Sequence, residues 1–477
     1  MQPHGRLVII DEGRRQPALR LQRRFLRGAK RRAFARREGT VMPDVRMNTS
    51  SAAALAEVKE RYAARQPESA RVYDDACKSL PGGNTRTVLY YDPFPLMFQR
   101  GAGCRLWDVD GHEYVDFLGE YTAGLYGHSH PVIQETLRKI LDDGLNFGGH
   151  TALEGKLAAL ICARFPSIDL VRFTNSGTEA NLMAINTARA ATKREEILVF
   201  EGGYHGGVLN IAAGVPAINA PYKFVMAPYN DLAATRDIVA AHKDLLAAIL
   251  LEPMQGGGGC IPATVEFLKG LRALADANDI VLIFDEVMTS RLSPGGLQEA
   301  TGVTPDMTTL GKYIGGGMSF GAFGGKAALM SLFDPRKPNY LPHAGTFNNN
   351  VLTMSAGIAG LTKIYTAEAA KALNALGDGL RTRLNDIAER HKVKVRFTGR
   401  GSMMNIHFTT APIRSVRDAK DADPDLRGLF FFDMVERGIW VARRGMINLS
   451  LPIGEAETDA LVAAFEEFVT VRGNLLR

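Results

Sequence analysis

Two ionisable residues, Asp285 and Lys312, occupy positions where their side chains could act together in catalysis. Residues 280–284 (IVLIF) have the apolar character of a buried strand, and Asp285 follows them directly. A carboxylate at the end of such a strand needs a cation or several hydrogen-bond donors nearby, because an unpaired buried charge is very costly. Lys312 leaves a short Thr-rich run and precedes glycines 315–317. A lysine that is partly removed from water can lose its proton and become a nucleophilic amine.

A third feature, upstream, could bind an anion. Residues 171–174 (VRFT) predict a strand, and the pair Ser176 and Glu179 forms a capping box that begins a helix. Gly177 leaves the backbone open where free N–H groups and the positive end of the helix converge. Thr178 adds a hydroxyl group. The segment therefore predicts a phosphate site at the beginning of this helix.

Pyridoxal phosphate meets all three requirements together. Its aldehyde carbon takes a lysine as a Schiff base, its protonated pyridine nitrogen pairs with an aspartate, and its phosphate needs an anion site. Each residue alone has a simpler explanation. An Asp after a strand commonly caps a helix, a Lys beside Gly is commonly solvated, and a capping box begins a helix whatever its function.

Three further polar residues could belong to such a site. Tyr204, between two glycine pairs, could lie flat over a planar ligand, or it could be an exposed loop tyrosine. Glu252 follows another predicted strand, and we interpret it as an acid behind the ligand, partnered by an arginine. Thr346, in the polar loop HAGTFNNN, could donate to a phosphate, or the loop could be a plain turn.

Arginines in two segments could hold a substrate carboxylate. Arg86 lies between a Gly/Asn turn and an aromatic run, a setting that suits bidentate binding of a carboxylate. Arg443 and Arg444 precede an apolar strand, and one of the two could reach a carboxylate. In both segments the alternative is that the arginines are solvated and bind no substrate.

The elements that must position these residues follow a regular order. From about residue 132 helices alternate with short apolar strands, which predicts βαβ units and a mainly parallel sheet of the α/β class. Ligands bind beyond the carboxyl ends of the strands in such sheets, and the polar residues above follow strand ends. We expect four regions: a basic, disordered extension (1–46), N-terminal helices and a β-meander that join the small domain (47–110), a large cofactor-binding domain (111–350) and a small α+β domain (351–477).

Composition and charge exclude several classes of protein. A hydrophobic content of 46% with 23% charged residues is ordinary for a globular protein, and no run is long enough for a membrane span. Residues 1–46 hold 13 of the 57 Lys/Arg but only four of the 51 Asp/Glu, so the net charge of +6 arises in this segment. The four cysteines are far apart, which argues against disulfides and zinc and favours a reducing, cytoplasmic compartment.

Seven motifs in order resemble one family. They are GHSHP, NSGTEAN, EGGYHG, EPMQG, IFDEVMT, TTLGKYIGGG and GTFNNN. Together they resemble the class III, fold-type I pyridoxal-phosphate aminotransferases, and the resemblance covers the chain from Met47 onwards. The details are closest to bacterial β-phenylalanine (β-amino acid) aminotransferases, in the branch that also holds glutamate-1-semialdehyde aminomutase. The implied fold has a large domain with a mainly parallel, seven-stranded-type sheet and a small α+β domain.

The resemblance implies roles for the cofactor-binding residues. Lys312 would form the Schiff base, Asp285 would pair with the pyridine nitrogen, and Tyr204 would stack on the ring. The phosphate would be held at residues Ser176, Gly177 and Thr178. Thr346 would complete the phosphate site from the neighbouring subunit, which implies a homodimer with shared active sites.

The resemblance also implies how substrates bind. Arg86 would bind the carboxylate of a β-amino acid, and Arg444 that of the 2-oxo acid partner, with Arg443 as a rival for the second role. Met288 would lie beside the phenolic oxygen of the cofactor, where some members have Gln. No metal is implied.

The implied activity is a ping-pong transamination from a β-amino acid to a 2-oxo acid such as 2-oxoglutarate or pyruvate. One alternative is glutamate-1-semialdehyde 2,1-aminomutase, which needs no external acceptor. A second alternative is a binding protein that uses the basic segment 1–46. We expect small-molecule partners, and neither a nucleic acid nor a membrane.

Overall fold

The computed structural model describes residues 50–212, 214–420 and 423–477. The basic segment 1–46 therefore lies outside the described residues. The division at residues 110 and 350 stays a prediction.

The described strands are numbered in chain order: β1 (Phe98–Ala102), β2 (Arg105–Asp108), β3 (Glu113–Asp116), β4 (Leu170–Thr174), β5 (Glu196–Phe200), β6 (Lys223–Ala227), β7 (Leu246–Leu251), β8 (Met254–Gln255), β9 (Ile261–Pro262), β10 (Val281–Asp285), β11 (Met307–Gly311), β12 (Gly321–Gly325), β13 (Arg396–Arg400), β14 (Met403–His407), β15 (Ile439–Trp440) and β16 (Met446–Asn448).

The described α-helices are numbered likewise: α1 (Ser51–Arg65), α2 (Pro67–Cys77), α3 (Pro131–Asp143), α4 (Ala152–Arg164), α5 (Gly177–Thr192), α6 (Leu232–His242), α7 (Val265–Ala277), α8 (Gly296–Thr301), α9 (Ala327–Met330), α10 (Val351–Ala359), α11 (Ala367–His391), α12 (Asp425–Glu436) and α13 (Glu455–Arg472). None of the helices in this part of the chain has the length and apolar character needed to cross a membrane.

A seven-stranded sheet forms the centre of the fold, in the order β4-β12-β11-β10-β7-β5-β6. β10 pairs in parallel with β7 and β11, and β5 pairs in parallel with β7 and β6. Every residue of β7 and β10 is buried, as expected for strands covered on both faces. The predicted α/β class and the mainly parallel sheet are confirmed.

The two faces of the sheet pack against different helices. Successive side chains of a strand point to opposite faces. Ile283 therefore packs with Ala184 of α5 on one side, and Leu282 packs with Phe267 of α7 on the other. Thr264 caps the beginning of α7 through its side-chain oxygen, which accepts from the Phe267 N–H at 3.1 Å.

β12 is a strand that the sequence pattern hides. Its residues, GAFGG, contain three glycines, which weaken strand propensity, yet the strand pairs antiparallel with both β11 and β4. A Cβ atom on Gly321 would lie 2.0 Å from the carbonyl oxygen of Ser176, and one on Gly325 would lie 2.3 Å from that of Asp306. Glycine is required here because the loop before α5 lies directly against the strand.

Two smaller sheets lie outside the central one, and in the first of them the two ends of the described chain meet. The predicted meander is present as antiparallel β1, β2 and β3, and β15 adds to it in parallel beside β3. β13, β14 and β16 form an antiparallel sheet against which α11 packs. These pairings bring the loop after β15 close to the loop after β3.

Candidate active site

Five strands end at one edge of the central sheet and carry the candidate residues to it. β4, β5, β7, β10 and β11 run in the same direction, because β12 is antiparallel to both of its neighbours. Asp285 ends β10, Lys312 follows β11, and Glu252 follows β7. Ser176 and Tyr204 follow β4 and β5 within a few residues. The predicted grouping at the carboxyl ends of the strands is therefore present.

Asp285 is buried, at 4% exposure, and is surrounded by donors. Its Oδ2 atom lies 2.8 Å from Nδ1 of His205 and accepts from Nδ2 of Asn181 at 2.8 Å. Its Oδ1 atom accepts from the Val287 N–H at 3.0 Å. These bonds satisfy the buried carboxylate and fix its orientation.

Asn181 connects three strand ends, and the sequence analysis missed it. Its Nδ2 atom also donates to the carbonyl oxygen of His205 at 2.9 Å, while its Oδ1 atom accepts from the Thr309 hydroxyl at 2.7 Å. The residue is five positions after Ser176 in α5, on the face that packs against the sheet. An amide side chain among buried residues that are mostly alanine and isoleucine was the available indication.

The beginning of α5 is the segment for which we predicted an anion site. Ser176 caps the helix by accepting from the Glu179 N–H at 3.1 Å, which leaves the first N–H groups of the helix without intrahelical partners. The Thr178 hydroxyl accepts from the Gly207 N–H at 3.3 Å. A Cβ atom on Gly177 would lie 2.9 Å from a methyl group of Val287, the residue that binds Asp285 through its N–H. The beginning of α5 and Asp285 are thus held close together through Val287.

Lys312 follows β11 in the left-handed region, with φ of 56°. Its Nζ atom donates to the backbone carbonyl oxygen of Tyr121 at 2.8 Å. The pKa of the Lys312 amine is lowered to about 8, mainly by burial, with the positive charges of Arg444 and Arg86 contributing to the decrease. About a tenth of the amine is therefore neutral at pH 7, and the neutral form is the nucleophilic one.

Arg86 and Arg444 both lie over the ring of Tyr121, with their guanidinium carbons 5.9 Å and 4.8 Å from its centroid. Two segments far apart in sequence are thus brought to the same ring, within the electrostatic reach of Lys312. Arg443, next in the chain, is exposed, and its charge acts instead on Tyr90. Of the two rival arginines, the geometry brings Arg444 to the site.

The turn that carries Tyr121 has an unusual backbone. Residues Gly119, Glu120, Tyr121 and Thr122 have φ of 53°, 49°, 50° and 80° in succession. Left-handed conformation costs about 1–2 kcal/mol for each residue with a Cβ atom, so other contacts must hold this turn. Asp116 supplies two of them, since its Oδ1 atom accepts from the N–H groups of Leu118 and Gly119 at 2.8 and 2.9 Å.

Glu252 is buried, and among the residues that the structure describes no arginine pairs with it, so the arginine partner in our interpretation was wrong. Its two oxygens accept from the N–H groups of Tyr204 and Gly256, each at 2.9 Å. The pKa of the Glu252 carboxyl is raised to about 7, mainly by burial; His205 opposes this rise and the Asp285 charge contributes to it. Backbone N–H groups of two glycine-rich segments, the loop at Tyr204 and the turn at Gly256, provide the donors that we had expected from a guanidinium.

Tyr204 and Met288 lie against this same turn. Tyr204 exposes 45% of its surface at the edge of the sheet. A Cβ atom on Gly257 would lie 3.2 Å from Cβ of Tyr204, and one on Gly256 would lie 2.4 Å from Sδ of Met288. The glycines therefore make room for both side chains.

Thr346 lies elsewhere in this chain. It is exposed and lines a cavity of about 590 Å³ together with residues 145–151 and Phe347. Within the described chain no hydrogen bond joins its side chain to residues 176–178. The structure of one chain therefore does not bring Thr346 to the anion site.

Comparison with known proteins identifies the family to which this chain belongs. The family model of class III aminotransferases matches residues 89–469. The beta-phenylalanine transaminase of Variovorax paradoxus is 51% identical over 423 residues, which cover 89% of this chain and 97% of that protein. A solved beta-phenylalanine aminotransferase structure from the same organism has a TM-score of 0.88 at 50% identity and covers 90% of this chain and 99% of the other.

Two other matches concern the cofactor and the alternative activity. A solved transaminase structure with PLP bound has a TM-score of 0.79 at 33% identity and covers 86% of this chain and 98% of the other. The glutamate-1-semialdehyde 2,1-aminomutase of Thermodesulfovibrio yellowstonii is 37% identical over 405 residues, which cover 80% of this chain and 94% of that protein.

Proposed function

Because the chain belongs to the class III aminotransferases, which depend on pyridoxal phosphate, we propose that it transfers the amino group of a β-amino acid to a 2-oxo acid. The observation that carries the proposal is the pair of guanidinium groups, Arg86 and Arg444, on the ring of Tyr121 beside the Lys312 amine. Two cationic groups can bind the carboxylates of two different substrates in one site. The identity of 51% to a beta-phenylalanine transaminase supports the same donor class.

The described residues fit pyridoxal phosphate. Asp285 is a buried carboxylate whose neighbours fix it, and it would hold the pyridine nitrogen in its protonated form. Ser176, Gly177 and Thr178 begin a helix, where the N–H groups and the positive end of the helix would bind the phosphate. Lys312 offers an amine of lowered pKa for the covalent link.

Pyridoxal phosphate supplies, when bound, a carbonyl carbon for the amine and a ring that accepts electrons from the substrate carbon. Lys312 has two tasks in this proposal. Its neutral amine holds the cofactor at rest, and in the reaction it takes the proton from the amine-bearing carbon of the donor. Tyr121 holds the amine for the second task through its carbonyl oxygen, 2.8 Å away.

The two arginines divide the recognition of substrates between them. Arg86 would bind the carboxylate of the β-amino acid, and Arg444 that of the 2-oxo acid, such as 2-oxoglutarate or pyruvate. Arg444 is the more enclosed of the two, and its Nε–H is buried and has no partner in the described structure. A buried donor without a partner favours a ligand that supplies one.

Two residues would contact the cofactor ring. Tyr204, largely exposed at the edge of the sheet, would cover one face of it. Met288 would lie beside its phenolic oxygen, where it cannot donate a hydrogen bond.

The proposal includes a homodimer. Phe147 and Phe347 expose 57% and 56% of their surfaces on the cavity that Thr346 lines, and exposed apolar groups of this kind mark association surfaces. A second copy of the chain covering this surface would bring Thr346 to the phosphate site of its partner. Sedimentation analysis of the wild type and of Phe147→Glu tests this part. Two monomeric species would contradict it.

We also place the enzyme in the cytoplasm. All four cysteines are free, and Cys104 and Cys260 are buried where no other cysteine pairs with them. Free thiols in these numbers favour a reducing compartment. Fractionation of the native host, followed by immunoblotting, checks the location.

One experiment decides between the proposed activity and the aminomutase. Purified protein is mixed with racemic β-phenylalanine, with and without 2-oxoglutarate, and the loss of donor and the formation of glutamate are followed. Glutamate formed only when both are present supports the proposal. Absence of turnover from a cofactor-loaded protein, together with isomerisation of glutamate-1-semialdehyde without any acceptor, would establish the alternative.

A further inference from the structure

Arg86, the proposed ligand of the donor carboxylate, already has a carboxylate partner in the chain. It forms an ion pair with Glu120, whose side chain is 55% exposed, against 44% for that of Arg86. Among the described residues Glu120 is the acidic partner that the structure assigns to Arg86. The pair therefore lies at the solvent side of the proposed site, where a substrate would enter.

Both charges of this pair reach the reactive amine. Arg86 lowers the pKa of Lys312, whereas Glu120 acts in the opposite direction and raises it. Glu120 directly precedes Tyr121, whose carbonyl oxygen lies 2.8 Å from Nζ of Lys312. Glu120 therefore lies in the neighbourhood of the substrate site.

The backbone of Glu120 is held in place, whereas its side chain is largely exposed. The residue lies in the left-handed turn, between Gly119 and Tyr121, with φ of 49°. Asp116 holds the beginning of this turn, and Nδ2 of Asn448 donates to the carbonyl oxygen of Leu118 at 2.9 Å. The carboxylate of Glu120 therefore returns to Arg86 whenever no other carboxylate is bound there.

We propose that Glu120 is an internal counter-ion of Arg86, which the carboxylate of the amino donor displaces on binding. The inference rests on the proposed role of Arg86 in donor recognition. In the free enzyme the ion pair neutralises the guanidinium. A donor that carries a carboxylate replaces Glu120, whereas an amine without one gains nothing from Arg86. Glu120 thus sets the affinity of the site for carboxylate-bearing donors.

The exchange is possible because the internal pair is weak and the displaced side chain has space. Exposed ion pairs contribute little, since both side chains lose freedom and water screens the charges. A ligand carboxylate can bind a guanidinium bidentately, which is the stronger geometry. Glu120 also lines a cavity of about 410 Å³, together with His128, Ser129 and His130, into which its side chain can turn.

Binding of 3-phenylpropanoate to the holoenzyme tests the proposal. This compound has the carboxylate and aryl group of β-phenylalanine but no amine, so its Kd can be measured by calorimetry without turnover. Glu120→Gln removes the charge and keeps the shape. We expect Kd to fall about two- to fivefold at low ionic strength, the range of an exposed ion pair. The difference should shrink in about 0.5 M salt, where screening is strong.

The matched control is Glu113→Gln. Glu113 forms an ion pair of similar exposure with Arg105 at 2.8 Å in the β2–β3 hairpin, away from Lys312. The Kd of Glu113→Gln for 3-phenylpropanoate should equal that of the wild type. Glu120→Gly is the second variant, because glycine removes the carboxylate and adopts left-handed backbone without strain. It should also bind 3-phenylpropanoate more tightly than the wild type.

Unchanged or weaker binding by the Glu120 variants would overturn the inference. Unchanged binding would show that Glu120 does not compete with the ligand for Arg86, and weaker binding would show that Glu120 only positions Arg86. Arg86→Gln separates this failure from a failure of the proposed function. If Arg86→Gln weakens binding and Glu120→Gln does not strengthen it, Arg86 keeps its role and the counter-ion proposal falls. If Arg86→Gln also leaves Kd unchanged, the proposed role of Arg86 falls too.

Discussion

The Nζ atom of Lys312 lies 2.8 Å from the backbone carbonyl oxygen of Tyr121. A carbonyl oxygen accepts a hydrogen bond from either protonation state of the amine but carries no full charge, so it positions the group without raising its pKa as a carboxylate would. The strained turn at residues 119–122 aims this oxygen at the amine. Strain of this kind is kept where a precise atom position has a function.

Replacing Lys312 with Ala should abolish the covalent link and nearly all turnover. The variant loses both the amine that binds the cofactor and the base that moves the proton, and we expect kcat to fall by at least about 10²–10⁴. Borohydride treatment of the holoenzyme followed by mass spectrometry should find the cofactor on Lys312 in the wild type and on no lysine in the variant. Lys326→Ala, at an exposed lysine paired with Asp306, is the control and should retain the adduct. A reducible adduct in Lys312→Ala would contradict the assignment.

The reactivity of Lys312 in the apoprotein should depend on pH with a midpoint near 8. The neutral amine is the reactive form, and its fraction rises as the pH increases through the lowered pKa of about 8. An unperturbed lysine would show a midpoint near about 10.4. Rates of pyridoxal phosphate binding between pH 6 and pH 10 measure the midpoint.

Replacing Arg444 with Gln should move that midpoint upward, because a positive charge that lowers the Lys312 pKa is removed. An unchanged or lower midpoint would show that the Arg444 charge does not act on the amine.

The neighbouring arginines 443 and 444 should differ sharply when each is changed to Gln. Arg444 lies over Tyr121 and near Lys312, so Arg444→Gln should raise KM for the 2-oxo acid by about 10- to 100-fold, the loss of one charge-assisted contact. Arg443 is exposed, so Arg443→Gln should leave this KM within about twofold. A raised KM in Arg443→Gln together with an unchanged KM in Arg444→Gln would assign the binding of the 2-oxo acid to Arg443. KM for both substrates is measured by coupled assay of each half of the reaction.

Changing Asn181 to Ala should weaken cofactor binding without unfolding the protein. The substitution removes one donor from the Asp285 carboxylate and leaves the Thr309 hydroxyl without its acceptor. A hydrogen bond to a charged group contributes about 1.5–3 kcal/mol, which corresponds to about a 10- to 100-fold loss of cofactor affinity. Equilibrium dialysis against pyridoxal phosphate measures this. Asn186→Ala, on an exposed part of α5, is the control, and equal losses in both variants would argue for a general effect on the helix.

Changing Glu252 to Gln should destabilise the apoprotein. Both carboxylate oxygens accept from backbone N–H groups, and an amide group would direct its NH₂ at one of them. An unsatisfied buried donor costs about 1–3 kcal/mol of the free energy of unfolding. The raised pKa of about 7 means that the wild type loses stability as its carboxyl ionises, whereas the amide does not titrate, so chemical denaturation at about pH 5 and at pH 8 should show the difference shrinking as the pH rises. Equal stability of both proteins would show that the NH₂ group finds another partner.

The sequence predicted those parts of the molecule whose physical cause is local. The buried strand before Asp285, the cap at Ser176 and the run before Lys312 are local patterns, so the sheet and its active edge could be predicted. The strand at residues 321–325 was missed. Its glycines are required by close contacts with Ser176 and Asp306, which lie outside the local sequence.

The hydrogen-bond partners and backbone conformation around the reactive groups could not be predicted from local sequence patterns either. The donors to Asp285 come from different segments, and the partner of Glu252 proved to be a glycine-rich turn instead of an arginine. The left-handed backbone of Glu120 and Tyr121 is held by Asp116 and Asn448, and no propensity of these residue types predicts it. The roles proposed from the family resemblance for Tyr204, Met288, Thr346 and the arginines stay predictions until the variants are made.

The glycine strand β12 has a consequence for the order of synthesis. β4, which leads into the anion site, lies at the edge of the central sheet and pairs with β12. Until residue 325 has left the ribosome, β4 therefore has no strand to join. A nascent chain that ends before Gly321 contains β5, β7, β10 and β11, but the loop between β4 and α5 lacks the strand against which Ser176 packs. The cofactor pocket is therefore completed late in the synthesis of this enzyme. A chain that ended before β12 would lack a complete pocket.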